Sequence, residues 1–297
     1  MNIGIIGLGR MGSAIAHRLQ LANHTVFGFD THQPARINAQ NDGITCKENL
    51  HDVCKNVSVL WLMLPAGAII DDVLNSIKGD VKPGTIIIDG GNSFYQDSVA
   101  RAKRLEQMQI SFLDCGTSGG LHGKDHGFSL MIGGNPEAFE KAKPAFEAIA
   151  APQGIIYAGP SGAGHFVKTV HNGIEYALLQ AYGEGFHLLK EGPYKDLNLQ
   201  AIASAWNHGS VIRSWILELA EQIFIRDQNF SEISGAIGEN LTGQWTVKTA
   251  KQLGIPVTLI EDALKIRAQS RETGGNYATK LVALLRNEFG GHEVKKL

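Results

Sequence analysis

The sequence predicts two parts: an α/β N-terminal domain built on a mostly parallel sheet, then an all-α C-terminal domain. Three observations carry this expectation. Short apolar runs alternate with helix-patterned runs through the first half of the chain. A glycine-rich turn joins the first strand-like run to the first helical one. From about residue 164 onward, helical periodicity continues almost without interruption.

The strand-like runs are NIGIIG, TVFGFD, VSVLWLML, TIIIDG, SFLDCG and FSLMIGG. Several are rich in Val and Ile, as strands covered on both faces tend to be. Helical patterns such as RMGSAIAHRLQLA and NSFYQDSVARAKRLEQM lie between them. Such alternation implies right-handed crossovers and a mostly parallel sheet. After IIYAGPSGAG the pattern becomes helical, broken by EGPYKD, RDQNFSEISGA and QLGIP. The expected domains are residues 1–163 and 164–297, and the tail FGGHEVKKL is not expected to stand as an element of its own.

Composition narrows the function classes. The chain has 297 residues, enough for about two domains, with 43% apolar and 19% charged residues. The 35 glycines point to tight turns and close backbone approaches. A formal net charge of -2 supplies no field to recruit nucleic acid or an anionic membrane. Cys46, Cys54 and Cys115 show no metal-ligand spacing, so neither a metal nor a disulfide framework is expected. The first residues, MNIGIIGLGR, have no basic segment ahead of the apolar run and read as a strand rather than a signal peptide, which makes a cytoplasmic location the expectation. No apolar run is long enough to span a bilayer.

The turn after the first strand is GLGRMG: Gly7, Leu8, Gly9, Arg10, Met11 and Gly12. A lone G-x-G-x-x-G is weak evidence. Here it follows a strand and opens a helix, the context that the dinucleotide fingerprint of Rossmann-type domains requires. Its glycines permit the tight turn and let a pyrophosphate approach the amides of a helix N-terminus. The second strand ends in Asp30, eighteen residues after Gly12, where a carboxylate can accept hydrogen bonds from ribose hydroxyls and repel a 2′-phosphate. Thr31 and His32 follow rather than Arg, so NAD is expected over NADP; Arg36 is the nearby cation that bears on this preference.

The segment KTVHNGIEY, residues 168–176, lies in a long helical pattern. At about 100° per residue, Lys168, His171, Asn172 and Glu175 fall within an arc of roughly 100°, with Tyr176 at its edge. Phe166, Val167, Val170, Ile174 and Ala177 cover most of the remainder. A solvent-facing stripe on an amphipathic helix is the plain reading. A functional stripe is the other, because Asn, Gly and Tyr in mid-helix are weaker helix formers. Two loops, DGGNS (89–93) and CGTSGGLHG (115–123), follow strand-like runs at the sheet edge where ligands bind in open α/β folds. Asn92 is placed to bridge cofactor and substrate, and Ser118, Gly119 and Gly120 offer a hydroxyl and unhindered amides.

With these pieces in order, the chain resembles the 6-phosphogluconate dehydrogenases along nearly its whole length. GLGRMG, DGGNS, GTSGGLHGKDHGFSLMIGG, KTVHNGIEY, QWTVKTAKQLGIPVTLI and RNEFGGH resemble that family's patterns in the same order. The broader β-hydroxyacid dehydrogenase superfamily shares the fingerprint and a Lys-x-x-x-Asn on the long helix, but generally lacks the continuation seen here. The chain looks like a short-form member, and Asp30 resembles the NAD-using branch.

The resemblance implies oxidative decarboxylation of 6-phospho-D-gluconate to ribulose 5-phosphate and CO2, with NAD reduced. It implies that Lys168 takes the hydroxyl proton as a neutral amine and later returns one to the carbonyl oxygen, and that Glu175 protonates the enediol. His171 and Asn172 would hold the sugar hydroxyls. Tyr176, Thr246 and Arg267 would reach the phosphate, with Arg286 and His292 arriving from a partner subunit's tail, which implies a homodimer or higher homo-oligomer. The chain departs from the family pattern at Gln244, where a basic residue usually precedes Trp-Thr; loss of one charged contact costs about 1.5–3 kcal/mol, and Lys248 is the neighbouring cation able to compensate. Two other readings compete. A β-hydroxyacid dehydrogenase for an unphosphorylated acid would have an uncharged distal pocket, against Arg267, Arg286 and His292. A non-catalytic NAD-binding scaffold would lack Lys168 or Glu175.

Overall fold

The computed structural model describes residues 1–55, 57–239 and 241–297. They form two compact units, Met1–Thr169 and Val170–Leu297, which divide within one helix.

The first unit carries eight strands: β1 (Asn2–Ile6), β2 (Thr25–Phe29), β3 (Thr45–Cys46), β4 (Val59–Leu62), β5 (Ile86–Asp89), β6 (Ser111–Ser118), β7 (Phe128–Gly134) and β8 (Ala150–Gly159). They make one sheet in the order β3-β2-β1-β4-β5-β6-β7-β8. All neighbours are parallel except β6 and β7. The helices are α1 (Arg10–Leu21), α2 (Gln33–Asn41), α3 (Leu50–Cys54), α4 (Ala68–Ser76), α5 (Tyr95–Glu106), α6 (Gly123–His126) and α7 (Pro136–Ile149).

Alternation along the strands explains why both faces are covered. Ile3, Ile5, Val59, Trp61, Ile86 and Ile88 point to one face and pack with α1 and α7 through Ile15, Leu19 and Phe146. Ile6, Leu60, Leu62 and Ile87 point to the other and pack with α3, α4 and α5 through Val53, Ile70, Leu74 and Leu105. Strand order reverses at β1, which pairs with both β2 and β4, so the glycine turn lies at the topological switch where such sheets bind ligands.

A 29-residue helix, α8 (Ala163–Glu191), begins just after β8 and is about 43 Å long. Its start is fixed by Asp114 on β6, whose carboxylate accepts the amides of Gly162 (2.6 Å) and His165 (2.8 Å). That satisfies two donors at the helix N-terminus, where a carboxylate also suits the helix dipole.

The second unit holds the rest of α8 with α9 (Leu199–Gly209), α10 (Trp215–Arg226), α11 (Leu241–Leu253), α12 (Thr258–Thr273) and α13 (Tyr277–Gly290). Its core gathers Leu179, Phe186, Leu217, Phe224, Phe230, Leu281 and Leu285. The tail folds back along the same unit: Lys296 bridges Ile233, and the amide of Leu297 donates to the Glu232 carbonyl at 3.1 Å. Among the described residues, no helix is long and apolar enough to cross a membrane.

Candidate active site

The cofactor end begins where β1 stops. Gly7 has φ +96, a conformation that favours glycine, and a Cβ at Gly12 would lie 1.9 Å from the Gly7 carbonyl oxygen. These two glycines let the strand turn tightly into α1. Gly9 differs: a Cβ there meets nothing within 4 Å. Packing within the chain therefore does not require glycine at this position, whereas close approach of a pyrophosphate does. Gly9 caps α1 without a side-chain cap bond, at the helix end whose dipole favours an anion. Leu8 is buried, while Arg10 is exposed and Met11 half-buried at the start of α1.

Asp30 is tied to this turn. The Leu8 amide donates to its Oδ2 at 2.7 Å and the His32 amide to its Oδ1 at 2.8 Å, which fixes the carboxylate and leaves each oxygen able to accept again. Arg36 donates to the Asp30 carbonyl at 2.7 Å, pairs with Glu48 at 3.6 Å and lies over the Phe29 ring.

Asn92 joins two loops. Its Oδ1 accepts the Thr117 amide at 3.1 Å and its Nδ2 approaches the Thr117 carbonyl at 3.4 Å. Its φ of +56 is an uncommon conformation that Asn tolerates better than most residues. Behind it, the buried Asp89 accepts the Gly91 amide (3.0 Å) and the Ser93 hydroxyl (2.7 Å), and Arg101 donates to both Ser93 and Asp71. Ser118 ends β6, and Gly119 and Gly120 both have positive φ.

Lys168 lies against this loop system. It is 5% exposed, and a Cβ at Gly116 would come within 2.3 Å of the Lys168 Cβ. Glycine at 116 is what lets α8 approach β6 at the lysine.

Further along α8, Asn172 donates from Nδ2 to the Thr242 hydroxyl at 3.1 Å, and the Tyr176 hydroxyl reaches the same oxygen at 3.4 Å. The His171 Nδ1 is 3.0 Å from the Asn172 Oδ1 and 4.0 Å from the Glu175 carboxylate. The solvent-stripe reading of α8 therefore fails. Lys168, Asn172 and Tyr176 are buried, while Phe166, Val167, Ile174 and Leu178 are exposed.

Beyond Tyr176 is a small cavity of about 90 Å³, lined in part by Tyr176, Gln244, Arg267 and Arg271. The Arg267 guanidinium stacks on the Tyr176 ring, 3.4 Å from its centroid, and is 3% exposed. Both of its terminal nitrogens are buried without a hydrogen-bond partner. Burial pulls its pKa down to about 10, with Tyr176 and Glu175 opposing and Arg286 adding to the fall. Burial lowers that of Arg286 as well, against the pull of Tyr176 and Glu175. A buried cation with unmet donors in the wall of a small cavity fits a small oxyanion.

The profile of the NAD binding domain of 6-phosphogluconate dehydrogenase matches residues 2–159, and that of the 6-phosphogluconate dehydrogenase C-terminal domain matches residues 164–295. The chain belongs to the 6-phosphogluconate dehydrogenase family. A Haloferax volcanii relative named 6-phosphogluconate dehydrogenase, NAD(+)-dependent, decarboxylating is 42% identical over 301 residues, covering 100% of this chain and 99% of the relative. A Bacillus subtilis protein of the same name is 36% identical across 90% of this chain, which spans only 60% of that longer protein. Among solved structures, Plasmodium falciparum 6-phosphogluconate dehydrogenase, studied apo and with NADP+ or 6-phosphogluconate, superposes with a TM-score of 0.84 at 28% identity. It covers 92% of this chain, which spans 62% of that one. The first unit of this family member is thus an NAD-binding domain.

Three of the expected phosphate residues do not line this cavity. Arg286 is buried in α13, donating to the Gly238 carbonyl at 3.0 Å with its charge felt at Arg267. The Thr246 hydroxyl donates to the Thr242 carbonyl at 3.2 Å, and its methyl packs toward Gly173, outside the lining of the Arg267 cavity. His292 packs beside Phe289 and Gly290, and its carbonyl accepts from Asn287. Lys248 is exposed and does not line the cavity; Arg271 does. Thr242, Asp114 and Arg271 went unrecognised in the sequence. Only Asp114 carries a local signal, as a carboxylate near the end of a buried strand.

Proposed function

We propose that this protein oxidatively decarboxylates 6-phospho-D-gluconate to ribulose 5-phosphate and CO2, with NAD as its cofactor. The observation that carries the reading is the Arg267 guanidinium, buried on the Tyr176 ring with two unmet donors, in a residue that lines a small cavity. An unphosphorylated hydroxy acid would leave that charge uncompensated, at a cost of several kcal/mol in a buried setting.

Bound NAD supplies the hydride acceptor. Lys168, as a neutral amine, takes the proton of the substrate's 3-hydroxyl as C3 loses hydride. The resulting 3-keto acid breaks its bond to the carboxylate. Lys168 returns the proton to the C3 oxygen as CO2 leaves, so the electron pair rests in an enediol. Glu175 then protonates the enediol carbon that lost CO2, while Lys168 takes the proton back from the C3 hydroxyl, which closes the ketone of ribulose 5-phosphate. The two groups sit seven residues apart on α8, about two turns along the same helix face. His171 and Asn172 hold sugar hydroxyls, with Asn172 oriented by Thr242. Asn92 bridges cofactor and substrate, and Ser118, Gly119 and Gly120 receive the carboxylate. Asp30 accepts the ribose hydroxyls and favours NAD over NADP. The exposed apolar edge of α8 supports a homo-oligomer.

The test is NADH and CO2 formation from 6-phosphogluconate, with gluconate and NADP in parallel. Turnover of the phosphorylated acid with NAD is expected. Turnover of unphosphorylated acids alone would retain the Lys168 chemistry and overturn the substrate.

A further inference from the structure

Arg267 lines the cavity together with three side chains that touch one another. Gln244 on α11 donates from Nε2 to the Glu239 carboxylate. Arg271, one turn beyond Arg267 on α12, brings its Nη2 to 3.8 Å from the other Glu239 oxygen. Arg271 is itself steadied from behind: its Nη1 donates to the carbonyls of Ile237 and Arg267, both at 3.3 Å. All three line the same cavity as Arg267.

A carboxylate beside an anion cavity needs an explanation. Glu239 offers two oxygens to a cation and an amide donor, which is how a phosphate would present itself to the same pair. Its ion pair with Arg271 is long, and the two side chains are 52% and 35% exposed, so little is lost on exchange. We propose that Arg271 is a specificity-determining cation of this cavity and that Glu239 is a displaceable stand-in: the substrate's phosphate takes over Arg271 and the Gln244 amide, and Glu239 turns out to solvent. The inference rests on the phosphorylated substrate assigned above. It makes Arg271, rather than Lys248, the residue that supplies a second positive charge where Gln244 carries none.

The exchange gives Arg271 and Glu239 opposite signs. Arg271→Met should weaken binding of inorganic phosphate, and raise KM for 6-phosphogluconate, by about 10-fold or more, as loss of a charged hydrogen bond of ~1.5–3 kcal/mol requires. Its kcat should change little. Glu239→Gln should tighten phosphate binding, because the competing carboxylate charge is gone. Gln244→Lys in the Arg271→Met background should restore most of the lost affinity, since both positions reach the same carboxylate. Calorimetric titration with phosphate and steady-state kinetics read all three, and melting temperatures separate a folding defect from lost charge. If Arg271 only braced the Ile237 carbonyl, Glu239→Gln would not tighten binding and Gln244→Lys would not rescue; either result overturns the proposal. If wild-type protein neither binds phosphate nor turns over 6-phosphogluconate, the substrate reading itself falls.

Discussion

The cofactor-binding turn of the first unit and the anion cavity of the second are built by opposite means. In the first, the recognition groups are backbone amides, set by glycines that pack against one another and by Asp30 anchored to the Leu8 amide. Nothing charged is buried without a partner to make that turn. In the second, the cavity is lined by long cationic side chains, and Arg267 is held buried with its donors unmet. A backbone site is a product of folding. A buried guanidinium works against folding and is repaid when an anion arrives.

This contrast can be tested at several points, and the largest effect belongs to neither site but to the helix that passes through both units. Lys168→Met should lower kcat by about 10²–10⁴-fold, the usual range for a lost general base, with NAD affinity unchanged by fluorescence titration; comparable turnover would remove Lys168 from its role. In the turn, Gly12→Ala and Gly9→Ala should separate. Gly12→Ala forces a clash with the Gly7 carbonyl and should destabilise the fold by about 1–3 kcal/mol as well as abolish NAD binding. Gly9→Ala should melt like wild type yet bind NAD weakly; equal melting losses in both would mean that Gly9, too, is required by the fold.

At the anion cavity, Arg267→Met should raise KM for the phosphorylated acid by about 10–150-fold, from ~1.5–3 kcal/mol. Without phosphate it should melt no lower than wild type, because a buried unpartnered cation is removed. Added phosphate should raise the melting temperature of wild type and not of the variant. A variant that melts well below wild type would show that Arg267 supports the fold and would break the comparison. The smallest effect is expected at Asp30→Asn, which should relax the preference for NAD over NADP by about 10-fold, on the order of one charged hydrogen bond; an unchanged ratio would leave Asp30 only its tie to Leu8.

Much of this architecture was legible in the sequence. Six of the eight strands appear as apolar runs. The other two escaped recognition for good reasons: β3 spans two residues, and β8 carries Pro152, Gln153 and Gly154 and is only half-buried or exposed along its length, so it has no buried run to show. The fingerprint turn, Asp30 and the polar stripe of α8 were also readable, because they depend on residues close in the chain, where a turn or a helical period is written directly.

Orientation and partnership were not readable. The helical period says which residues of α8 share a face, but not which face is covered. That was decided by Gly116, which lets β6 meet Lys168, and by Thr242, seventy residues from the Asn172 it holds. The same holds for Asp114, forty-eight residues from the Gly162 amide it accepts, and for Arg286, whose charge acts on the buried Arg267. Local pattern is fixed by neighbours along the chain. Burial and charge partners are fixed by what the rest of the chain packs against them, and only the tertiary structure decides that.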